Sequence, residues 1–425
     1  MPRAKKSKSK RGKNDSAKRG KAVKKNARKS SRKKLIPPRP EGSHLGWRPE
    51  GSPLGWRPEG SHLGWRTLEI HNEHADNRPW VLDTQQKQVE KIVAAAKRGA
   101  VSADNCFVYF AAFDGTNNDE KNVGNFQTTN VRQLWCQYEP GLAQNPNLGG
   151  SYFAGPGTKG TLTSSAWKSA AVTGQVTKTA NKAYKDFAAQ ASSWLQENPP
   201  PKGTSFGAPP KRTSFGAQGS LSVVLTSFSR GIASAAIFTQ LLDKKGLAVR
   251  EGRRKKKLKV AVSAGINFDP VATGVKSNIA FAANSSNIVN LRAQDEYRQL
   301  FKAVDFSAQK AIVTTIPMLG NHCDIGGGYA SYDSGLAALA LEAATTFLQR
   351  SGLPLDPVGE RKFAGVNSIA IHSEDADEGE ALQSKGDAYL PGPQIGTFNS
   401  VDDLAQSPRL SAGLKVSQAE ELVLA

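Results

Sequence analysis

The 425-residue chain has three cysteines, Cys106, Cys136 and Cys323, and no CxxC pair. Three thiols cannot build a disulfide framework, and the missing pair removes the commonest zinc-binding spacing. The sequence contains no run of eighteen apolar residues, so no segment qualifies as a membrane-spanning helix. No apolar stretch follows the basic N-terminus, and an ordinary secretory signal is therefore not expected. Acids are nearly missing from one end. Positions 1–34 hold 17 Lys/Arg against one acid, Asp15, whereas the other 391 residues hold 40 Lys/Arg and 36 Asp/Glu. The formal charge of +20 thus describes a tail, and the near-neutral body is not a basic nucleic-acid-binding domain.

The tail at 1–34 has almost no apolar content and cannot bury enough surface to offset the entropy of ordering, so it is expected to be disordered. Its charge suits non-specific contact with a polyanion, either anionic lipid or nucleic acid. Residues 35–69 form a linker built on three nine-residue copies, EGSHLGWRP at 41–49, EGSPLGWRP at 50–58 and EGSHLGWRT at 59–67. Nine residues are too few for a solenoid or propeller unit. A second Pro/Gly near-repeat, PKGTSFGA and PKRTSFGA at 201–208 and 210–217, marks a flexible insertion over 199–218. Residues 358–425 read as an acidic, loosely structured segment.

Between these lies an alternation of strands and helices over 70–357. Apolar β-rich runs predict strands at 106–113, 221–226, 257–264 and 311–317. Helical periodicity predicts helices at 130–138, 176–195, 232–242 and 336–348. The fold class that follows is α/β, with a mostly parallel sheet. A lid is expected from roughly 140–218, hinged on the Gly-rich stretch 149–163.

Where a strand meets a helix the chain reads Ser227-Phe228-Ser229-Arg230-Gly231. That is the context of a nucleophile elbow, whose tight turn lifts the central serine above the sheet. Flanking residues must be small because strand and helix backbones nearly touch. Of the six histidines, only His322 and His372 follow Ser229. His372 lies beyond the last strong helix, whereas His322 is expected on a glycine-rich loop directly after a strand, where a base can reach the nucleophile. Asp269, at the end of the strand begun at 257, is the acid that would orient the imidazole. Asp324, two residues from His322, is a rival whose side chain better suits organising its own loop. Oxyanion donors would be the backbone N–H of Arg230 and a loop after the first strand, assigned to Gly115 and Thr116 with Asp114 in support. No motif calls for a cofactor or a metal, and none is expected.

These pieces in this order resemble the α/β-hydrolase family that includes the type VI secretion phospholipase effectors. The resemblance rests on Phe113–Asn117 (FDGTN), Tyr152–Thr158 (YFAGPGT), Ser227–Ile232 (SFSRGI), Phe268–Thr273 (FDPVAT) and His322–Tyr329 (HCDIGGGY), with NVRQL at 130–134 also similar. Ser227 and Ile232 stand where the family has Gly and Ala, and Pro270 where it has Thr. By position the resemblance implies Ser229 as nucleophile, Asp269 as acid and His322 as base. It further implies a serine esterase acting on lipid or phospholipid acyl esters, with a membrane-surface substrate. A secretion apparatus and an immunity protein would be partners by resemblance alone. Residence in the producing cell's cytoplasm, or export by a non-classical route, is the matching expectation. The alternative is an inactive hydrolase scaffold that binds polyanions through its basic tail.

Overall fold

The computed structural model describes residues 66–68, 71–72, 75–76, 78–103, 106–118, 128–158, 170–199, 220–251, 254–296, 298, 301–329, 334–359 and 361–373. The tail at 1–34, most of the nine-residue repeats, the near-repeat insertion and the acidic stretch from 374 lie outside the described residues. In chain order the elements are β1 (Arg66–Leu68), β2 (His71–Asn72), β3 (Ala75–Asp76), α1 (Arg78–Ala94), β4 (Cys106–Phe113), α2 (Asn130–Leu142), β5 (Leu148–Phe153), α3 (Ala170–Glu197) and β6 (Ser220–Phe228). They continue with α4 (Gly231–Lys245), β7 (Leu247–Glu251), β8 (Arg254–Leu258), β9 (Ala261–Phe268), β10 (Ile288–Ala293), β11 (Val313–Met318), α5 (His322–Gly326), α6 (Gly335–Ser351) and β12 (Ile371–Ser373).

Six strands form the main sheet in the order β5-β4-β6-β9-β10-β11, and every neighbouring pair is parallel. Parallel strands need crossovers that cover both faces, which is why a central strand such as β4 is apolar throughout rather than alternating. In β4 (CFVYFAAF) all eight residues are buried. Phe107, Tyr109 and Ala111 face one layer with Val176, Ala180, Ala183 and Phe187 of α3 and the apolar side of α4. Val108, Phe110 and Ala112 face the other, against Val131, Leu134 and Tyr138 of α2 and Ala340, Ala344 and Phe347 of α6. The α3 positions recur at steps of four and three, one stripe of a 3.6-residue helix. Truncating a fully buried aromatic such as Phe187 to Ala would cost about 3–5 kcal/mol.

The chain places β5 on one side of β4 and β6 on the other, so the order of the sheet reverses between β4 and β6. Ligands of open α/β sheets bind outside the carboxyl ends of the strands at such a switch point. The loops carrying Asp114 and Ser229 leave the sheet there.

Three expectations are corrected. The described part of 140–218 is no lid: β5 is an edge strand of the sheet, and α3 covers a sheet face with Val172–Leu195 in its core. The predicted strand 257–264 is two strands, β8 in an antiparallel hairpin with β7 and β9 in the main sheet. Packing continues past 357, since Arg361, Ile369 and His372 are buried and β12 pairs antiparallel with β1.

Candidate active site

Ser229 occupies the turn between β6 and α4 with φ of 52°. That is the left-handed region, sparsely populated by residues with a side chain and common at functional turns. The turn is held by backbone bonds: Ser229 N–H donates to Phe268 O at 3.1 Å, and Val271 N–H donates to Ser229 O at 3.2 Å. Close approach of α4 to β4 explains Gly231, where an added Cβ would lie 2.4 Å from Phe113 O and 2.7 Å from Asp114 O. On the strand side, Ser227 is accommodated because its hydroxyl donates to Asn267 Oδ1 on β9 at 2.7 Å. A serine fits here because the neighbouring strand supplies its acceptor.

Asp269 follows β9 directly and is fully buried, also with a positive φ, of 32°. Its N–H donates to Leu291 O at 2.8 Å, and its Oδ1 accepts from Ala293 N–H at 2.9 Å. Its Oδ2 lies 2.7 Å from Nδ1 of His322. An ionised carboxylate only accepts, so this contact assigns the proton to Nδ1 and leaves Nε2 with its lone pair. Burial lowers the imidazole's pKa from its ordinary value of 6.5, and the hydrogen bond and charge of Asp269 oppose that shift. The ring is stacked on Phe228, centroids 4.5 Å apart, and meets the edge of Phe301 at 5.0 Å.

His322 is not on a loop. It opens the one-turn helix α5, capped by Asn321, whose side chain accepts from the N–H groups of Cys323 and Asp324. The signal was in the sequence: Asn321 followed three residues later by Asp324 is a capping-box pattern. Glu296 also lies at this helix start, within 3.4 Å of His322 N–H, and is ion-paired with Arg298.

The loop after β4 is fastened by Asp114. Its carboxylate accepts from Thr129 Oγ1 at 2.7 Å, Tyr152 Oη at 2.5 Å and Gly115 N–H at 2.7 Å. Burial raises its pKa from 3.8 to about 6, against the pull of those three donors. Gly115 N–H is therefore engaged by its own neighbour. Thr116 is tied to the elbow instead: Arg230 Nη1 donates to Thr116 Oγ1 at 2.8 Å, and Arg230 Nε donates to Thr273 O at 3.0 Å. One buried guanidinium thus clamps the loops after β4 and β9 around Ser229; burial lowers its pKa to about 10. Thr129 and this side-chain role of Arg230 were not anticipated from sequence. Tyr152 was noted within its motif without a role.

The chain has no match among protein-family models or curated proteins. Among solved structures it is similar to an uncharacterized protein from Pseudomonas aeruginosa, with 15% identity and a TM-score of 0.41 over 70% of this chain and 52% of that one. It is also similar to the Tle1 effector bound to the VgrG spike from the Type 6 secretion system, with 18% identity and a TM-score of 0.35 over 56% of this chain and 53% of that one. The chain spans about half the length of the solved chains it matches. The resemblance is weak and carries no argument about chemistry. Among the described residues, no helix is long and apolar enough to cross a membrane.

Proposed function

We propose that this chain is a serine hydrolase that cleaves carboxylic esters, with lipid or phospholipid acyl esters as its substrate class. The observation that carries the reading is the buried Asp269–His322 pair at 2.7 Å, together with a serine held at φ 52° on a strand-turn-helix and bonded through its N–H to Phe268, the residue before Asp269. In this reading Ser229 Oγ attacks the ester carbonyl carbon as its proton passes to Nε2 of His322. Asp269 keeps the imidazole in the Nδ1–H tautomer and stabilises the imidazolium. The tetrahedral oxyanion accepts from the backbone N–H groups of Arg230 and Thr116, which the Arg230 side chain holds in one frame. Collapse expels the alcohol, which takes the proton from Nε2. Water then repeats the sequence on the acyl-enzyme and releases the acid.

The lipid substrate rests on the motif resemblance from 113 to 329, as does delivery by a secretion apparatus. Burial supports the neutral base: an imidazole depressed below 6.5 is deprotonated at neutral pH, the form that general-base chemistry needs. The test is labelling by a fluorophosphonate, with hydrolysis of short-chain esters and phospholipid vesicles measured in parallel. Wild type should label and hydrolyse, and Ser229→Ala should do neither. A folded wild type inert to every ester and to the probe refutes the reading. Labelling that persists in Ser229→Ala refutes only the choice of nucleophile.

A further inference from the structure

The two remaining candidates from the sequence, His372 and Asp324, form a second buried pair beside the first. His372 Nδ1 lies 2.6 Å from Asp324 Oδ1, and His372 N–H donates to Asp324 Oδ2 at 2.9 Å. One residue of β12 thus chelates both carboxylate oxygens. Asp324 Oδ2 also accepts from Asn321 N–H at 3.0 Å, closing the capping box of α5. Asn321 Nδ2 donates to Tyr329 Oη at 2.6 Å, and the Tyr329 ring is stacked on His372 with centroids 3.9 Å apart. The chain of contacts runs from His372 through Asp324, Asn321 and Tyr329 back to His372, and all four side chains are buried.

The circuit surrounds the N-cap of a helix only five residues long. One turn of helix does not hold itself together, because nucleation costs more than a single turn returns. External contacts must fix its first residue, and that residue is His322. We propose that His372 is a positioning residue: it locks Asp324 and Asn321, and through them sets the ring of His322 against Asp269 and Ser229. This deepens the serine-hydrolase reading and rests on it for its kinetic consequence. Histidine fits because its Nδ1 and its own backbone N–H reach the two oxygens of one carboxylate together. Asparagine can place an amide N–H near the Nδ1 position, whereas glutamine sets it one bond further out.

The full chain carrying His372→Asn, His372→Gln or His372→Ala tests this, each assayed well below its unfolding midpoint. Displacement of a reacting group by about 1 Å can cost on the order of a hundredfold. The expected result is a fall of at least about tenfold in kcat for a short-chain ester in the Gln and Ala variants, with KM nearly unchanged. Fluorophosphonate labelling should slow by the same factor, and the Asn variant should keep most of the activity. A role in packing alone would lower the melting temperature of all three and leave kcat per folded molecule at the wild-type value, which overturns the proposal. Equal losses in the Asn and Ala variants overturn it as well. The downfield NMR signal of the His322 Nδ1 proton, assigned by its loss in His322→Gln, gives a readout without turnover. It should broaden or vanish in His372→Ala, and an unchanged signal overturns the proposal. If wild type neither labels nor hydrolyses, the hydrolase reading fails, and this signal still decides whether His372 positions His322.

Discussion

Replacing Asp269 by Asn separates geometry from charge at the site. The side chain keeps its shape, yet its two ends make different demands. Oδ1 accepts from Ala293 N–H at 2.9 Å and Oδ2 faces His322 Nδ1 at 2.7 Å. An amide has one acceptor end and one donor end. If its oxygen stays on Ala293, its NH2 faces His322 and forces the proton to Nε2, so the ring can no longer accept the serine proton. If its oxygen turns to His322, the NH2 meets the Ala293 N–H in a fully buried site, two donors with no acceptor between them, at about 1–3 kcal/mol. The first orientation wins, and the wrong tautomer follows. In a serine protease triad the equivalent change costs about 10⁴ in kcat, which corresponds to about 5.5 kcal/mol of transition-state stabilisation. A loss of that order is expected in kcat for a short-chain ester, with labelling slowed in proportion and KM little changed. The backbone bonds of Asp269 are untouched, so the fold should persist. Activity within tenfold of wild type in a folded Asp269→Asn variant would refute the assignment of Asp269 as the group that sets the tautomer.

Gly231→Ala places a Cβ 2.4 Å from Phe113 O; it should destabilise the domain by about 1–3 kcal/mol or more, seen as a lowered thermal midpoint together with weakened labelling. Ser227→Ala strips the partner from Asn267 Oδ1 and should cost about 1–3 kcal/mol in chemical denaturation, while labelling stays within a few-fold of wild type. The acid limb of kcat/KM should lie below pH 6.5, because burial lowers the pKa of His322, and a limb above 6.5 would contradict that environment. For stability the signs oppose. His322 has its pKa depressed, so its contribution is present above 6.5 and lost as pH falls through the folded value. Asp114 is raised from 3.8 to about 6, so its contribution is present below 3.8 and lost as pH rises through 6, on the order of 3 kcal/mol. Denaturation from pH 4 to 8 should therefore change slope in opposite directions in His322→Gln and Asp114→Asn.

What the sequence made legible follows the strength of its local signals. The strand at 106–113 and the helix at 336–348 were readable because buried apolar runs and 3.6-residue stripes leave few alternatives. β5 was not, because LGGSYF carries two glycines and reads as a hinge; its Gly149 and Gly150 are required by Phe107 and by the backbone of Phe110 approaching closely. β10 hides behind Asn290 and Arg292, which are buried in the sheet although their side chains are polar. In α1 only Val81, Gln85 and Ile92 are buried, too thin a stripe to mark a helix. At the candidate site, chain order and strand ends point to the turn that carries Ser229 and to the two residues, Asp269 and His322, whose side chains meet. The pairing of His372 is hidden because a long-range contact leaves no mark in local sequence: 48 residues separate it from Asp324.

The same site shows why the sheet, more than any single loop, does the positioning. Ser229 and Asp269 both hold positive φ with full side chains, a conformation that costs on the order of 1–3 kcal/mol each. Neither residue could stay there alone. Ser229 N–H is bonded to the last residue of β9, Asp269 N–H to β10, and Val271 N–H returns to Ser229 O. Each strained residue is therefore pinned by the strand beside it. Because these strands are parallel, their carboxyl ends all lie at one edge of the sheet, where such bonds can pass from one loop to the next. A parallel sheet delivers adjacent strand ends in register, and a strained serine and a buried acid can be over-determined by backbone bonds alone. His322, carried on a helix of one turn, lacks that support, which is why the burden of placing it falls on side chains.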